Sequence, residues 1–466
     1  MSHWSSANTT NRTRLARALS THTGVGYQKC LHVISGLADA GLLPAFSAEG
    51  TDGTVRAIAP LVLLQAPTDA KGRAAKGAAK SGRAKQGRAK VSWGGKAPGN
   101  AFSDGGALAH FSPHDAIAWN RPPGVAIVGD PGSGKHFFGF SMVYEMVAAG
   151  VRTVYLDAKA DALPLARMPG LSGSKVVHVT QRESGMLNPF TLGDDVGQSA
   201  LLALETVRLL MGGRVSGGRE EALIVALNAV SVEANPSLGR VVDVLLADEQ
   251  SAEARSLGLS LDVVRKLPHA RLCFGEGTGA PVDLADGLTV ITMVGFDLPG
   301  DLSPADYSYE NRLGVATMYL LARHVRGLLL ADRTEGRARQ SAVVIDEAQC
   351  LTTTASGTGM VAEFGRVSRS TSTALVLVTQ DASSLLSMAV RNAISTVFSF
   401  RSSNPHQVES ALDLLGLDAH EGHRHAMADL RNGECLWREA DGQVVRAQVE
   451  PAFSRDDIAV AFSGNP

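Results

Sequence analysis

The chain is 466 residues long, 44% hydrophobic and only 5% aromatic, with 44 basic against 46 acidic side chains and a formal net charge of −2. These figures exclude a fibre, a wholly disordered chain and a molecule drawn as a whole to nucleic acid or acidic lipid; any such attraction must be local. Cys30, Cys273, Cys350 and Cys435 stand far apart without metal-ligand spacing, which points to buried thiols in a reducing, cytosolic setting rather than a disulfide framework.

The pattern RLARALSTHTGVGYQKCLHVISGLADAGLLP, ending at Pro44, predicts two amphipathic helices around a Thr-Gly turn, so residues 1–68 are read as a small helical module. Residues 69–104 are read as a basic linker: Lys71 to Lys90 hold eight Lys or Arg, small residues and no acid. Such a stretch buries too little apolar surface to order itself. It is either a solvated connection or a sequence-independent grip on nucleic-acid phosphates. The apolar runs AIAPLVLLQA and GLLLA are shorter than the ~20 residues of a membrane span, so membrane association is expected to be peripheral and through partners.

From 105 to 466 strand-like runs alternate with helical ones, which predicts an α/β domain with a mostly parallel sheet covered on both faces. Strands are expected at GVAIVG, RTVYLD, KVVHVT, LTVITMVGF, SAVVIDE, TALVLVTQ, STVFSFR, GECLWRE and QVVRAQV. Between about 196 and 280 the pattern is helical throughout and reads as an all-helical insertion.

After the first of these strands stands GDPGSGKH, in which Gly129, Gly134 and Lys135 meet the spacing G-x-x-x-x-G-K. Gly129, Asp130, Pro131, Gly132, Ser133, Gly134, Lys135 and His136 are the candidate nucleotide-binding residues. Glycines let successive N–H groups close around a phosphate at a helix N-terminus, and the lysine reaches the outer phosphate oxygens. His136 stands where Ser or Thr is expected as a magnesium ligand. Imidazole is bulkier than a hydroxyl and a poorer partner for this hard ion. Three readings stay open: a water fills the position beside His136 and turnover is slower, the site binds nucleotide without turnover, or a softer ion such as manganese is used.

In AVVIDEAQ, Asp346 is the candidate metal-shell acid and Glu347 the candidate catalytic acid. Gln380, at the end of ALVLVT, is placed to sense the γ-phosphate or the attacking water. Arg366, Arg369 and Arg401 are candidate arginines for delivery across a subunit boundary, where a guanidinium stabilises charge developing in phosphoryl transfer.

Taken in order, GDPGSGKH, VYLDAKAD, LNPF, VVIDEAQ, GRVSRSTSTALVLVTQ and GECLWRE resemble the C-terminal motor domain of type IV secretion and conjugation ATPases, the TraC-like members of the HerA/FtsK superfamily of RecA-fold motors. The resemblance runs from about Pro122 to Val449. It implies a RecA-like P-loop domain interrupted by an all-helical insertion, ATP and magnesium as cofactors, and hexamers with nucleotide between neighbours. It carries over Lys135, Asp346, Glu347 and Gln380 in the roles above, gives Asp157, Lys159 and Asp161 a supporting one, and makes Asn188 and Pro189 structural. The function it implies is a cytoplasmic motor ATPase coupling hydrolysis to DNA or protein transfer, with channel components as partners. The alternatives are a weakly or non-hydrolysing DNA-binding assembly protein, and a DNA translocase or conjugative coupling protein of the same superfamily. Against the last pair stand the lack of membrane spans and of a winged-helix tail after Val449.

Overall fold

The computed structural model describes residues 61–64 and 107–449, apart from a few single positions and the short stretches 277–281 and 335–339. The helical module and basic linker expected before residue 105 lie outside the described residues, with one exception. Leu61–Leu64, read as part of the helical module, is a strand. It pairs antiparallel with a strand on each side, Ala107–His110 and Val444–Val449.

Eleven strands make one sheet: β1 (Leu61–Leu64), β2 (Ala107–His110), β3 (Gly124–Val128), β4 (Arg152–Asp157), β5 (Lys175–His178), β6 (Leu288–Thr292), β7 (Ser341–Ile345), β8 (Thr373–Thr379), β9 (Thr396–Phe400), β10 (Glu434–Arg438) and β11 (Val444–Val449). Their order is β2-β1-β11-β10-β9-β3-β8-β7-β4-β6-β5. From β9 to β5 the neighbours are parallel, while β10, β11, β1 and β2 add an antiparallel flank. All nine strands expected from the sequence are present.

The central strands β3, β4, β6, β7, β8 and β9 are buried along their whole length, as near-continuous apolar runs require when both sheet faces are covered. Successive side chains alternate between the two layers. Thus β7 sends Val343 and Ile345 to one layer and Ala342 and Val344 to the other. The second layer is aromatic: Phe138 lies 4.4 Å from Phe398, which stacks on Trp437 at 5.4 Å.

Numbering the longer helices in chain order, α1 is Lys135–Ala148, α2 Val196–Leu210, α3 Gly218–Ser231, α4 Leu238–Ala247, α5 Ala252–Arg265, α6 Tyr309–Thr334, α7 Ala355–Thr371, α8 Pro405–Leu415 and α9 Glu421–Ala428. Between Val196 and Phe274 the described residues form helices and no strand. Three of these helices start on side-chain caps: Asp195 accepts from Gln198 N at 2.7 Å, Ser237 from Arg240 N at 3.1 Å and Ser251 from Ala254 N at 3.0 Å. Each such cap is worth about 1 kcal/mol. The Asn188 amide ties this helical region to the sheet domain, donating to Pro236 O at 2.8 Å and accepting from Phe190 N at 3.2 Å.

The sequence shows only short apolar runs, yet Tyr309–Ala331 within α6 is long and apolar enough to cross a membrane by length and composition. Scattered arginines break its run in the sequence. Two-thirds of that stretch is buried in the protein, where Leu313, Val315, Leu320 and Leu321 join the larger core layer.

Candidate functional site

The end of β3 fixes the loop Gly129–Gly134. Gly129, Gly132 and Gly134 take φ of +151°, +74° and +104°, values that favour glycine. Space enforces the choice as well. A Cβ at Gly129 would lie 2.7 Å from Phe400 Cβ, and one at Gly134 would lie 2.9 Å from Gly433 N. The loop is also tied to the strand beyond it: Ser133 O accepts from Gly433 N at 3.1 Å, and Asp130 N donates to Arg401 O at 3.1 Å.

Asp130 is the loop's anchor. Its carboxylate accepts from Ser402 Oγ at 2.8 Å and from Ser403 N and Oγ, both at 2.7 Å. Partial burial pushes its pKa up, but the Ser403 and Ser402 bonds and the Lys135 charge outweigh that and hold it below the ordinary value. Ser133 is fully buried and spends its hydroxyl on Asp130 O at 2.7 Å.

At the start of α1 the Lys135 side chain is 2% exposed and its Nζ has no hydrogen-bond partner. Burial lowers its pKa, opposed by the charges of Asp346 and Glu347. Asp346 is equally buried, and its Oδ2 is unpartnered too. Its other oxygen stands 3.5 Å from His136 Nε2, without hydrogen-bond alignment. A buried ammonium and a buried carboxylate oxygen without partners each cost free energy. Both costs are relieved by a phosphate-bearing ligand with a divalent cation, so the donors present fit that pair. No cluster of three His, Cys, Asp or Glu able to cage a metal occurs among the described residues. That suits magnesium, which is held by one or two carboxylates plus water and phosphate.

Glu347 is the most constrained residue of the site. Asp346 N still pairs with Leu156 O at 3.1 Å and Ala348 N with Val378 O at 2.9 Å, while Glu347 between them has φ +53°. This left-handed backbone costs about 1–2 kcal/mol in a non-glycine residue and turns the side chain into the site. There Lys159 Nζ bonds to Oε1, Gln380 Nε2 donates to the same oxygen at 3.3 Å, and Gln349 Nε2 donates to Oε2. Gln349 is oriented in turn by Thr379 Oγ1, which donates to its Oε1 at 2.7 Å. Asp157 holds the turn that presents Lys159: its carboxylate accepts from the N–H groups of Lys159, Asp161 and Ala162 at 3.2, 3.1 and 3.0 Å. Burial raises the Asp157 pKa to about 6 against the pull of those bonds.

The structure thus gathers Gly129, Asp130, Pro131, Gly132, Ser133, Gly134, Lys135, His136, Asp346, Glu347 and Gln380 at the carboxyl ends of β3, β7 and β8. Arg401 follows β9 at that same end, with an exposed side chain. Arg366 and Arg369 are not brought there. Both are exposed on α7, which enters β8 at the opposite end, and Arg369 Nη1 donates to Asn120 O at 3.0 Å. Sequence reasoning missed Gln349, Thr379, Ser402, Ser403 and Gly433. Gln349, Thr379, Ser402 and Ser403 carried a signal, since each lies within two residues of a candidate, Glu347, Gln380 or Arg401; Gly433 is joined to the site only by pairing between distant strands.

The family described as AAA-like domain matches residues 118–462. The chain is 20% identical over 374 residues to the uncharacterized protein YddE of Bacillus subtilis (strain 168), a match taking in 72% of this chain and 42% of that protein. It therefore spans less than half the length of that relative. Among solved structures it resembles VirB4 of Thermoanaerobacter pseudethanolicus, with a TM-score of 0.63 and 16% identity over 76% of this chain and 96% of that one. It also resembles the bacterial conjugative coupling protein TrwBdeltaN70, with a TM-score of 0.50 and 17% identity over 74% of this chain and 93% of that one. At such identities the likeness is one of fold, and that fold is the RecA-like P-loop architecture expected from the motifs.

Proposed function

The chain belongs to the AAA-like domain family, and from that premise we propose that it is a P-loop motor ATPase whose hydrolysis drives DNA or protein transfer in conjugation or type IV secretion. The observation that carries the reading is the pair of buried, unpartnered groups, Lys135 Nζ and Asp346 Oδ2, beside a carboxylate held by three donors. The architecture shared with VirB4 and TrwBdeltaN70 supports it.

In this reading the N–H groups of Gly132 to Lys135 and the N-terminus of α1 hold the β-phosphate, with Lys135 on the outer phosphate oxygens. Asp346 would hold the metal shell through its unpartnered oxygen. Magnesium, when bound, neutralises developing charge on the transferring phosphoryl group. Glu347 orients water and accepts its proton, while Gln380 and Gln349 fix the angle of its carboxylate. Lys159 competes for that carboxylate and must loosen its hold as Glu347 takes the proton. Of the three arginines Arg401 lies nearest the loop in the same chain, and Arg366 and Arg369, on α7, are left to act on a neighbouring subunit's nucleotide. Assembly into a hexamer, DNA and channel components as partners, and a cytoplasmic place peripheral to the membrane belong to the same proposal.

A second reading, nucleotide binding with little or no turnover, is favoured by one observation: His136 reaches the Asp346 carboxylate where a hydroxyl ligand would stand. Steady-state ATP hydrolysis with magnesium or manganese, with and without DNA, separates the two. The motor reading fails if the native chain turns over no faster than a Lys135→Ala control under either metal.

A further inference from the structure

A cavity of about 800 Å³ lies away from the loop, between α2, α6 and α7. That is within the ~300–1,000 Å³ of sites for small organic ligands. Its floor is apolar, with Leu202, Leu209, Val315, Tyr319 and Met360 among the lining residues. Its rim is charged, and the charges do not balance.

Arg208 bonds to Glu205 at 2.7 Å and to Glu220, and Arg323 bonds to Glu363. Arg312 has no carboxylate partner among the described residues, and its Nε is buried without a hydrogen bond. The guanidinium is nevertheless held in place. It lies 5.5 Å from the ring centroid of Tyr309. On another side it packs on the backbone of Gly212, where φ is +80° and a Cβ would come within 2.8 Å of Arg312 Cζ. The aromatic face and the nearby end of α2 attract a cation but do not neutralise it. A fixed, partly buried arginine with spare donors at the rim of an apolar cavity matches the planar oxygens of a carboxylate or phosphate.

We propose that this cavity binds a small organic anion, its carboxylate or phosphate ester held by Arg312 and its apolar body packed between α2, α6 and α7. The site is separate from the phosphate loop and does not depend on ATP turnover. Its wall does reach the candidate catalytic acid: Thr353, a lining residue, bonds to Tyr307 at 3.3 Å and donates to Gln349 O at 2.7 Å, and the Gln349 side chain holds Glu347.

The test is calorimetric titration of the full chain with 4-phenylbutyrate, its neutral amide and phenyl phosphate. At least one anion is expected to bind saturably, with the amide weaker by about tenfold or more, the usual cost of losing a charged hydrogen bond. Which anion binds decides between the carboxylate and the phosphate source. Arg312→Gln should weaken the anion by a similar factor. Gly359→Leu should abolish binding, because Gly359 lines the cavity on α7 and a Cβ there meets open space rather than a neighbour. Lys135→Ala should leave binding unchanged, which separates this site from the loop. Melting temperatures of the variants near that of the native chain show that they fold. The proposal is overturned if no anion binds saturably, if the amide binds as well as the anion, or if Arg312→Gln and Gly359→Leu bind like the native chain.

Discussion

The imidazole Nε2 of His136 stands 3.5 Å from Oδ1 of Asp346, linking the first turn of α1 to the residue that follows β7. A hydroxyl on the shorter Thr side chain would not reach that carboxylate and would leave the space beside it to a metal-bound water. His136→Thr is therefore expected to raise magnesium-dependent ATP turnover by about tenfold, a barrier change of ~1.4 kcal/mol. Steady-state rates in magnesium and in manganese check it. Equal rates in both metals would mean that the imidazole does not impair the site, and lower ones that it assists it.

Lys135 gives a stability prediction as well as a binding one. Its ammonium is buried and unpartnered, so Lys135→Met should keep or raise the stability of the nucleotide-free chain, by up to about 1–3 kcal/mol, while removing ATP affinity. Thermal unfolding with and without ATP reads both effects. A large drop without nucleotide would show that attraction to Asp346 and Glu347 outweighs burial.

Glu347→Gln keeps the size of the side chain and removes the base. Hydrolysis should fall by about 10²–10⁴-fold, the usual contribution of a positioned acid or base, with ATP affinity retained. Single-turnover rates beside equilibrium binding distinguish this from a folding defect, which would lower both.

Asp130 should write itself into the acid limb of the stability curve. Its folded pKa lies below the ordinary value of 3.8, so its contribution is fully present above that value and is lost as pH falls through the lower folded pKa. Asp130→Asn removes this dependence and costs about 1 kcal/mol through weaker bonds to Ser402 and Ser403. Melting temperatures of both proteins between about pH 3 and 6 test it; parallel curves would refute the assignment.

Burial pushes the thiols of Cys273 and Cys350 up to about 12 and that of Cys435 higher still. None should react with iodoacetamide at neutral pH until the chain unfolds. Mass spectrometry of native and denatured samples counts the labelled sites, and native labelling at any of the three would contradict their placement.

The loop and the sheet were legible because their chemistry is local. GVAIVGDPGSGK carries strand, turn and lysine in one run, and the buried strands are continuous apolar runs that no helix period disguises. What was hidden depends on register between distant strands. Nothing near Asp130 in the chain announces Ser402 and Ser403, which arrive because β9 lies beside β3 in parallel register. Leu61–Leu64 lies beyond the two helices predicted up to Pro44, and its four apolar residues carry no period; its strand character comes from pairing with β2 and β11. The arginines of α6 similarly broke an apolar stripe that only burial makes continuous.

The backbone of Glu347 has a historical consequence. Glycine or asparagine would sit at φ +53° more comfortably than glutamate does. In a lineage that had abandoned hydrolysis, nothing would oppose drift to those residues, and each step toward them would add stability. Glycine or asparagine at this one position should therefore mark the retired members among this chain's relatives, before any assay is run.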